Sequence, residues 1–184
     1  MFAIVRLFVA VDLEYPDPLR EFASRLKGTG LRVKLVEPEN FHVTLRFIGE
    51  VGGEAVATIE GGLREACRGL GPFEVSLRGL GAFPRPERAR VLWVAVEGKE
   101  IYELARRVNE ALDGLGVPGD KKEFVAHATI ARVKERPNRS ALDLFEEWRG
   151  REFGRQRVSE VKLKRSTLTP RGPIYEDLVV VQLR

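Results

Sequence analysis

Phe41-His42-Val43-Thr44-Leu45-Arg46-Phe47-Ile48 is an alternating apolar run, which predicts a β-strand, and the pattern returns in Phe124-Val125-Ala126-His127-Ala128-Thr129-Ile130-Ala131-Arg132-Val133. His42 and His127 are the only two histidines in the 184 residues, and each stands two places before one of only six threonines. Side chains at i and i+2 of a strand share a face, roughly 6.5 Å apart along it. His42 with Thr44, and His127 with Thr129, therefore point one way, while Val43 with Leu45, and Ala128 with Ile130, point toward a core. One such histidine reads as an ordinary half-buried strand residue. Two matched copies that use every histidine in the chain point to a site.

Working outward, Ala3 to Asp12 predicts a strand and Pro18 to Lys27 a helix, followed by the first histidine strand and a helix over Glu54 to Cys67. Phe73 to Leu80 and Val91 to Glu97 read as two strands joined by an irregular Gly81 to Arg90 loop. Glu100 to Leu115 carries Ile101, Leu104, Ala105, Val108, Ala111, Leu112 and Leu115 at helical spacing. The second histidine strand, a helix over Ser140 to Trp148 and two final strands, Val158 to Thr167 and Ile174 to Leu183, complete the order. The order repeats, and no Gly-, Pro- or Ser-rich linker divides the copies. The expected fold is α+β, bilobal and duplicated: two mostly antiparallel sheets with helices on the outer faces and a central cleft, in a single domain over residues 1–184. A pseudo-twofold relation would gather His42, Thr44, His127 and Thr129 about one point.

Composition narrows the partners. Hydrophobic residues at 43% and charged residues at 32% exclude a disordered chain. Cys67 is the sole cysteine, so no internal disulfide forms. The apolar opening MFAIVRLFVAVDLEYP is interrupted by Arg6 and Asp12 and fits neither a signal peptide nor a membrane span, so a cytoplasmic protein with no membrane partner is expected. A net charge of +4, a pI near 9.4 and an excess of Arg over Lys favour phosphate-bearing partners. Interleaved Arg and Glu, as in Arg85-Pro86-Glu87-Arg88-Ala89-Arg90, reads equally as a solvated ion-pair surface.

An unperturbed imidazole titrates near pH 6.5, so a pair of histidines suits a general base and a general acid working in one turnover, as in-line displacement at phosphorus requires. Threonine hydroxyls suit the non-bridging phosphoryl oxygens. A zinc site wants three or four ligands, and two His with one Cys and no HExxH spacing argue against it, although carboxylates would complete a set. Gly114-Leu115-Gly116-Val117-Pro118-Gly119 has the spacing of a phosphate-loop start, but Asp120 stands where the lysine is required and a strand follows instead of a helix. Neither a metal nor a nucleotide cofactor is expected.

These residues resemble the two-histidine phosphoesterase superfamily, defined by paired His-x-Thr-hydrophobic motifs, and within it the LigT-like RNA 2′,3′-cyclic phosphodiesterases, also called 2′-5′ RNA ligases. Arg6-Leu7-Phe8-Val9-Ala10 resembles that branch's opening strand, Phe41 to Val51 its first motif, Phe124 to Arg132 its second, and Ser166 to Tyr175 its closing segment, so the likeness runs nearly end to end. The resemblance implies a bilobal α+β fold, hydrolysis of an RNA 3′ end bearing a 2′,3′-cyclic phosphate to a 2′-phosphate, and ATP-independent 2′-5′ joining as the reverse chemistry. It implies His42 as proton donor to the leaving 3′ oxygen and His127 as proton acceptor from water. tRNA fragments are a candidate source of such ends, and no obligate protein partner is evident.

Other candidate substrate-binding residues are read one by one. Arg46 shares parity with His42 and Thr44 and so is expected to face the cleft, toward phosphate or a surface ion pair. Arg132 has the wrong parity relative to His127 and needs a bulge or the strand's end to turn inward, so the resemblance alone supports it. Phe8 offers a ring to a terminal base or to core packing. Tyr175 follows a Gly-Pro turn, where it stacks or hydrogen-bonds near the cleft mouth or packs in its strand. Two other functions stay open: an RNA-end binding module with little turnover, and a phosphodiesterase of small nucleotides such as ADP-ribose 1″,2″-cyclic phosphate.

Overall fold

In the computed structural model, residues 2–184 are described; Met1, the first residue of the apolar opening stretch, lies outside them. The strands are β1 (Ile4–Asp12), β2 (Val33–Leu35), β3 (His42–Gly52), β4 (Phe73–Phe83), β5 (Val91–Glu97), β6 (His127–Val133), β7 (Glu152–Val158), β8 (Glu160–Thr169) and β9 (Gly172–Gln182). The helices are α1 (Asp17–Gly28), α2 (Ala55–Cys67), α3 (Lys99–Gly114) and α4 (Arg139–Trp148). None of them is long and apolar enough to cross a membrane.

The strands run β7-β4-β5-β6-β3-β1-β8-β9, all paired antiparallel, with β2 added to β6. Where β6 meets β3 the register consists of one pair, Val43 opposite Ala128. The expected two sheets are thus two four-stranded halves, β9-β8-β1-β3 and β6-β5-β4-β7, joined at a seam one residue pair wide. Helices α2 and α3 cover the first half, and α1 and α4 cover the second. Val43 and Ala128 hold equivalent places in the two motifs, so the pseudo-twofold axis passes through their pair.

The lobes are not consecutive halves of the chain. β1 and β3 lie in one lobe with β8 and β9, whereas β4 and β5 cross to the other, beside β6 and β7. Each copy of the repeat therefore gives strands and helices to both lobes. The α3 stripe of Ile101, Leu104, Ala105, Val108 and Leu112 is buried as its spacing predicts, while Leu115, just past the helix end, is half exposed. Such burial contributes about 1.5–3 kcal/mol per large aliphatic side chain. α2 reaches α3 because Gly62 has no side chain: a Cβ there would stand 2.8 Å from Leu112 Cδ2. On the other lobe, Phe22 of α1 meets Trp148 of α4 with ring centroids 5.7 Å apart.

Two strands go beyond the sequence expectation. β7, Glu152-Phe-Gly-Arg-Gln-Arg-Val158, has its two buried apolar residues, Phe153 and Val158, at opposite parity. A register shift skips Phe153 and turns it inward beside Gly154, which breaks the alternation by which a strand is read. β2 is only three residues long and exists through its pairing with β6. β4 also runs on to Phe83, so the expected Gly81 to Arg90 loop shortens to a turn containing a 3-10 segment at Pro86–Arg88.

Candidate active site

The seam fixes the centre of the site. With Val43 opposite Ala128 in an antiparallel pair, His42 comes to lie toward Thr129 and Thr44 toward His127, all four on the face opposite the buried Val43 and Ala128. These four side chains line one cleft of about 350 Å³. The shared face expected from the spacing is present in each strand, and the pairing of β3 with β6 is what brings the two copies together.

Both imidazoles are held by one device. His42 Nδ1 lies 2.5 Å from the carbonyl oxygen of Asn40, and His127 Nδ1 lies 2.7 Å from that of Val125, in each case two residues back. A carbonyl only accepts, so Nδ1 carries the hydrogen and Nε2 is left for proton transfer. The residue before each histidine is pinned too: Leu13 N–H donates to Phe41 O, and Val96 N–H to Ala126 O, both at 3.0 Å. His42 Nε2 stands 3.1 Å from Thr44 Oγ1.

Aromatic walls differ between the two copies. His42 packs against Phe8 and Tyr175, with ring centroids 5.3 and 5.5 Å away. Phe8 is buried, and its ring meets the edge of Tyr175 at 5.0 Å. His127 packs against Phe83 and Trp93, at 5.2 and 5.7 Å. Trp93 lies flat over Gly81, where any Cβ would collide with its ring. Burial pushes the His42 pKa below 6.5; the hydrogen bond to Asn40 opposes this, and the nearby Lys164 and His127 charges add to the depression. Lys164 is itself buried and tied to Asp12 at 3.0 Å and Asp177 at 2.8 Å, and Asp12 faces His42 across β1 and β3.

Arg46 and Arg132 exchange the places that strand parity gives them, and Arg132 takes the one that the resemblance implies. In β3 a register shift skips Leu45, so Leu45 and Arg46 are both buried and Phe47 turns to the cleft. Arg46 is only 5% exposed, with its guanidinium on Asn109 Oδ1 (3.0 Å), Pro118 O (3.1 Å), Val117 O (2.5 Å) and Asp113 Oδ1 (2.8 Å). The parity expectation for Arg46 is corrected: it clamps the segment after α3 instead of facing phosphate. β6 repeats the device. A shift skips Ile130, and Arg132 turns into the cleft.

Phe8 and Tyr175 both line the cleft. Residues that the sequence reading did not single out join them there: Phe47, Lys34, Ser166 and Arg171. The repeated motif carried a signal for Phe47, which stands five places after His42 as Arg132 does after His127. Phe83 and Trp93 had no local signal, because Phe83 lay in the supposed loop and Trp93 in an unremarkable strand. No group of three or more His, Cys, Asp or Glu is placed to hold a metal ion among the described residues.

Comparison with known proteins agrees with this architecture. The model of the LigT-like phosphoesterase family matches the chain twice, over residues 9–93 and 94–175. The chain is 45% identical to a protein of Methanothermobacter thermautotrophicus over 97% of its own length and 99% of the relative's, and 45% identical to one of Archaeoglobus fulgidus over 97% and 100%. Both relatives bear the name RNA 2′,3′-cyclic phosphodiesterase. A crystal structure from Thermus thermophilus superposes with a TM-score of 0.77 at 31% identity, covering 97% of this chain and 98% of that one. Escherichia coli LigT complexed with 3′-AMP does so with a TM-score of 0.75 at 22% identity, over 98% and 99%, a likeness of fold. With a family match over both copies of the repeat and relatives this similar end to end, the chain belongs to the LigT-like phosphoesterases.

Proposed function

We propose that this protein is an enzyme that hydrolyses the 2′,3′-cyclic phosphate at an RNA 3′ end to a 2′-phosphate, with His42 and His127 as acid and base. The observation that carries this reading is the one-pair seam, which sets two Nε2-presenting imidazoles and two threonine hydroxyls around one cleft. His127 takes a proton from water as its oxygen bonds to phosphorus. His42 gives a proton to O3′ as the P–O3′ bond breaks, and the phosphate stays on O2′. Thr44, Thr129 and Arg132 bind the non-bridging oxygens, whose charge grows in the transition state. Phe8 and Tyr175 supply a surface for the terminal base. A 5′-hydroxyl in place of water gives a 2′-5′ linkage by the same steps, and both lobes act as one unit.

Two features support this division of roles. A second groove opens on His127 and Thr44 without touching His42, which suits entry of the nucleophile beside the base. His42 is the more enclosed histidine, between the aromatic rings that would flank the bound nucleotide. Burial holds its pKa down, and the anionic substrate supplies the charge that favours its protonation.

The test uses a cyclic phosphate end with sulfur in place of the bridging 3′ oxygen, since a thiolate departs without a proton. Turnover in EDTA should be unchanged for the unmodified enzyme. His42→Ala and His127→Ala should each lose at least about a hundredfold in kcat on the oxygen substrate. The thio substrate should rescue His42→Ala alone. Rescue of His127→Ala instead would reverse the roles, and full activity of both variants would refute the mechanism.

A further inference from the structure

The Arg85 to Arg90 stretch, equally readable as solvated ion pairs, divides in the structure. Arg85 and Glu87 face each other at 4.0 Å, but Arg88 and Arg90 make no ion pair among the described residues. Val133 N–H donates to Arg90 O and Lys134 N–H to Arg32 O, both at 2.9 Å, so the exit of β6 is held against this turn. Together they line a depression of about 290 Å³ carrying Arg88, Arg90, Lys134 and Arg136. Its one carboxylate, Glu135, is taken by Arg32, whose Nε lies 3.0 Å from Oε2 and whose backbone N–H lies 2.9 Å from Oε1.

Elsewhere many surface arginines are neutralised, as in Arg25 with Glu147, Arg64 with Glu60, and Arg106 with Glu103 and Glu110. Four exposed cations left together repel one another, and a polyanion is the partner that relieves this. The depression begins one residue past Arg132, one of the cleft's cations, which pairs in register with Lys34 of β2. From Thr129 to Lys134 the chain runs about 17 Å if extended. A mononucleotide seated at the histidines does not span that distance.

We propose that single-stranded RNA leaves the cleft past Arg132 and Lys34 and lays its upstream phosphates against Arg88, Arg90, Lys134 and Arg136. The proposal rests on the cyclic phosphodiesterase reading and names its substrate class as a polynucleotide rather than a small cyclic nucleotide.

The test combines Arg90→Glu, Lys134→Glu and Arg136→Glu, all exposed positions. Two substrates are compared: a mononucleotide 2′,3′-cyclic phosphate and an oligonucleotide of about ten residues with the same end. For the oligonucleotide, KM should rise at least about tenfold, and the slope of log affinity against log salt should fall in magnitude by about 2, from three lost contacts at about 0.7 each. The mononucleotide should keep its KM and kcat, which also reports a folded variant. An unchanged oligonucleotide KM, or an equal rise for both substrates, would overturn the track. If the unmodified protein turns over neither substrate, the catalytic reading fails. Binding of a fluorescent oligonucleotide ending in a 2′-phosphate then decides the track separately: weakened binding in the triple variant upholds it, and equal binding overturns it.

Discussion

At the scale of single residues, His42 holds the most telling balance. Burial against Phe8 and Tyr175 disfavours its charged form, and Lys164 behind it adds to the effect. In the unfolded chain this histidine takes up its proton near pH 6.5, and in the folded protein at a lower pH. Its contribution to stability is therefore whole above 6.5 and is lost as pH falls from there through the folded value. Proton NMR of the imidazole should give a midpoint below 6.5 in anion-free buffer, and an upward shift when inorganic phosphate occupies the cleft. A midpoint at or above 6.5 without anion would show that burial does not control the group. The histidines and threonines were legible as spacing alone. The Asp12, Lys164 and Asp177 group behind His42 was not, because its members come from three strands and nothing local marks them as partners.

At the scale of elements, the matched bulges at Leu45 and Ile130 decide which arginine faces the cleft. Each bulge reverses the parity of the residues after it, so Arg46 goes to the α3 side and Arg132 to the cleft. Their methionine variants should behave in opposite ways. Arg46→Met should destabilise the fold by about 1–3 kcal/mol by leaving the carbonyls of Val117 and Pro118 without their donor, with little effect on kcat. Arg132→Met should leave the unfolding midpoint in place and lower kcat/KM for the cyclic phosphate by tenfold or more. Urea denaturation and steady-state kinetics on the two variants check both halves, and the reverse pattern would contradict the bulge assignment. Parity counted from His42 misplaced Arg46, because the place of a bulge is set by the register with the neighbouring strand, which the order of residues within one strand does not give.

At the scale of the whole molecule, the interleaved lobes meet on the face behind the cleft through Val43 and the fully buried Ala128. Enlarging that contact should act as a wedge. Ala128→Leu is expected to cost about 1–3 kcal/mol by overpacking and to lower kcat, since it spreads the two histidines apart. Thermal unfolding and turnover measured together check this, and lost stability with unchanged kcat would show that the seam does not set the spacing. By itself, the sequence determined the two histidine strands, their shared polar faces, the amphipathic helices and the duplication, because alternation, helical periodicity and spacing are local properties of a chain. Only the tertiary structure decided the interleaving of the lobes, the inward turn of Arg132, the retirement of Arg46, the aromatic walls of each imidazole and the gathering of unpaired cations beside β6. Those depend on which distant strands pair and in what register, and long-range pairing is set by the packing of the whole chain.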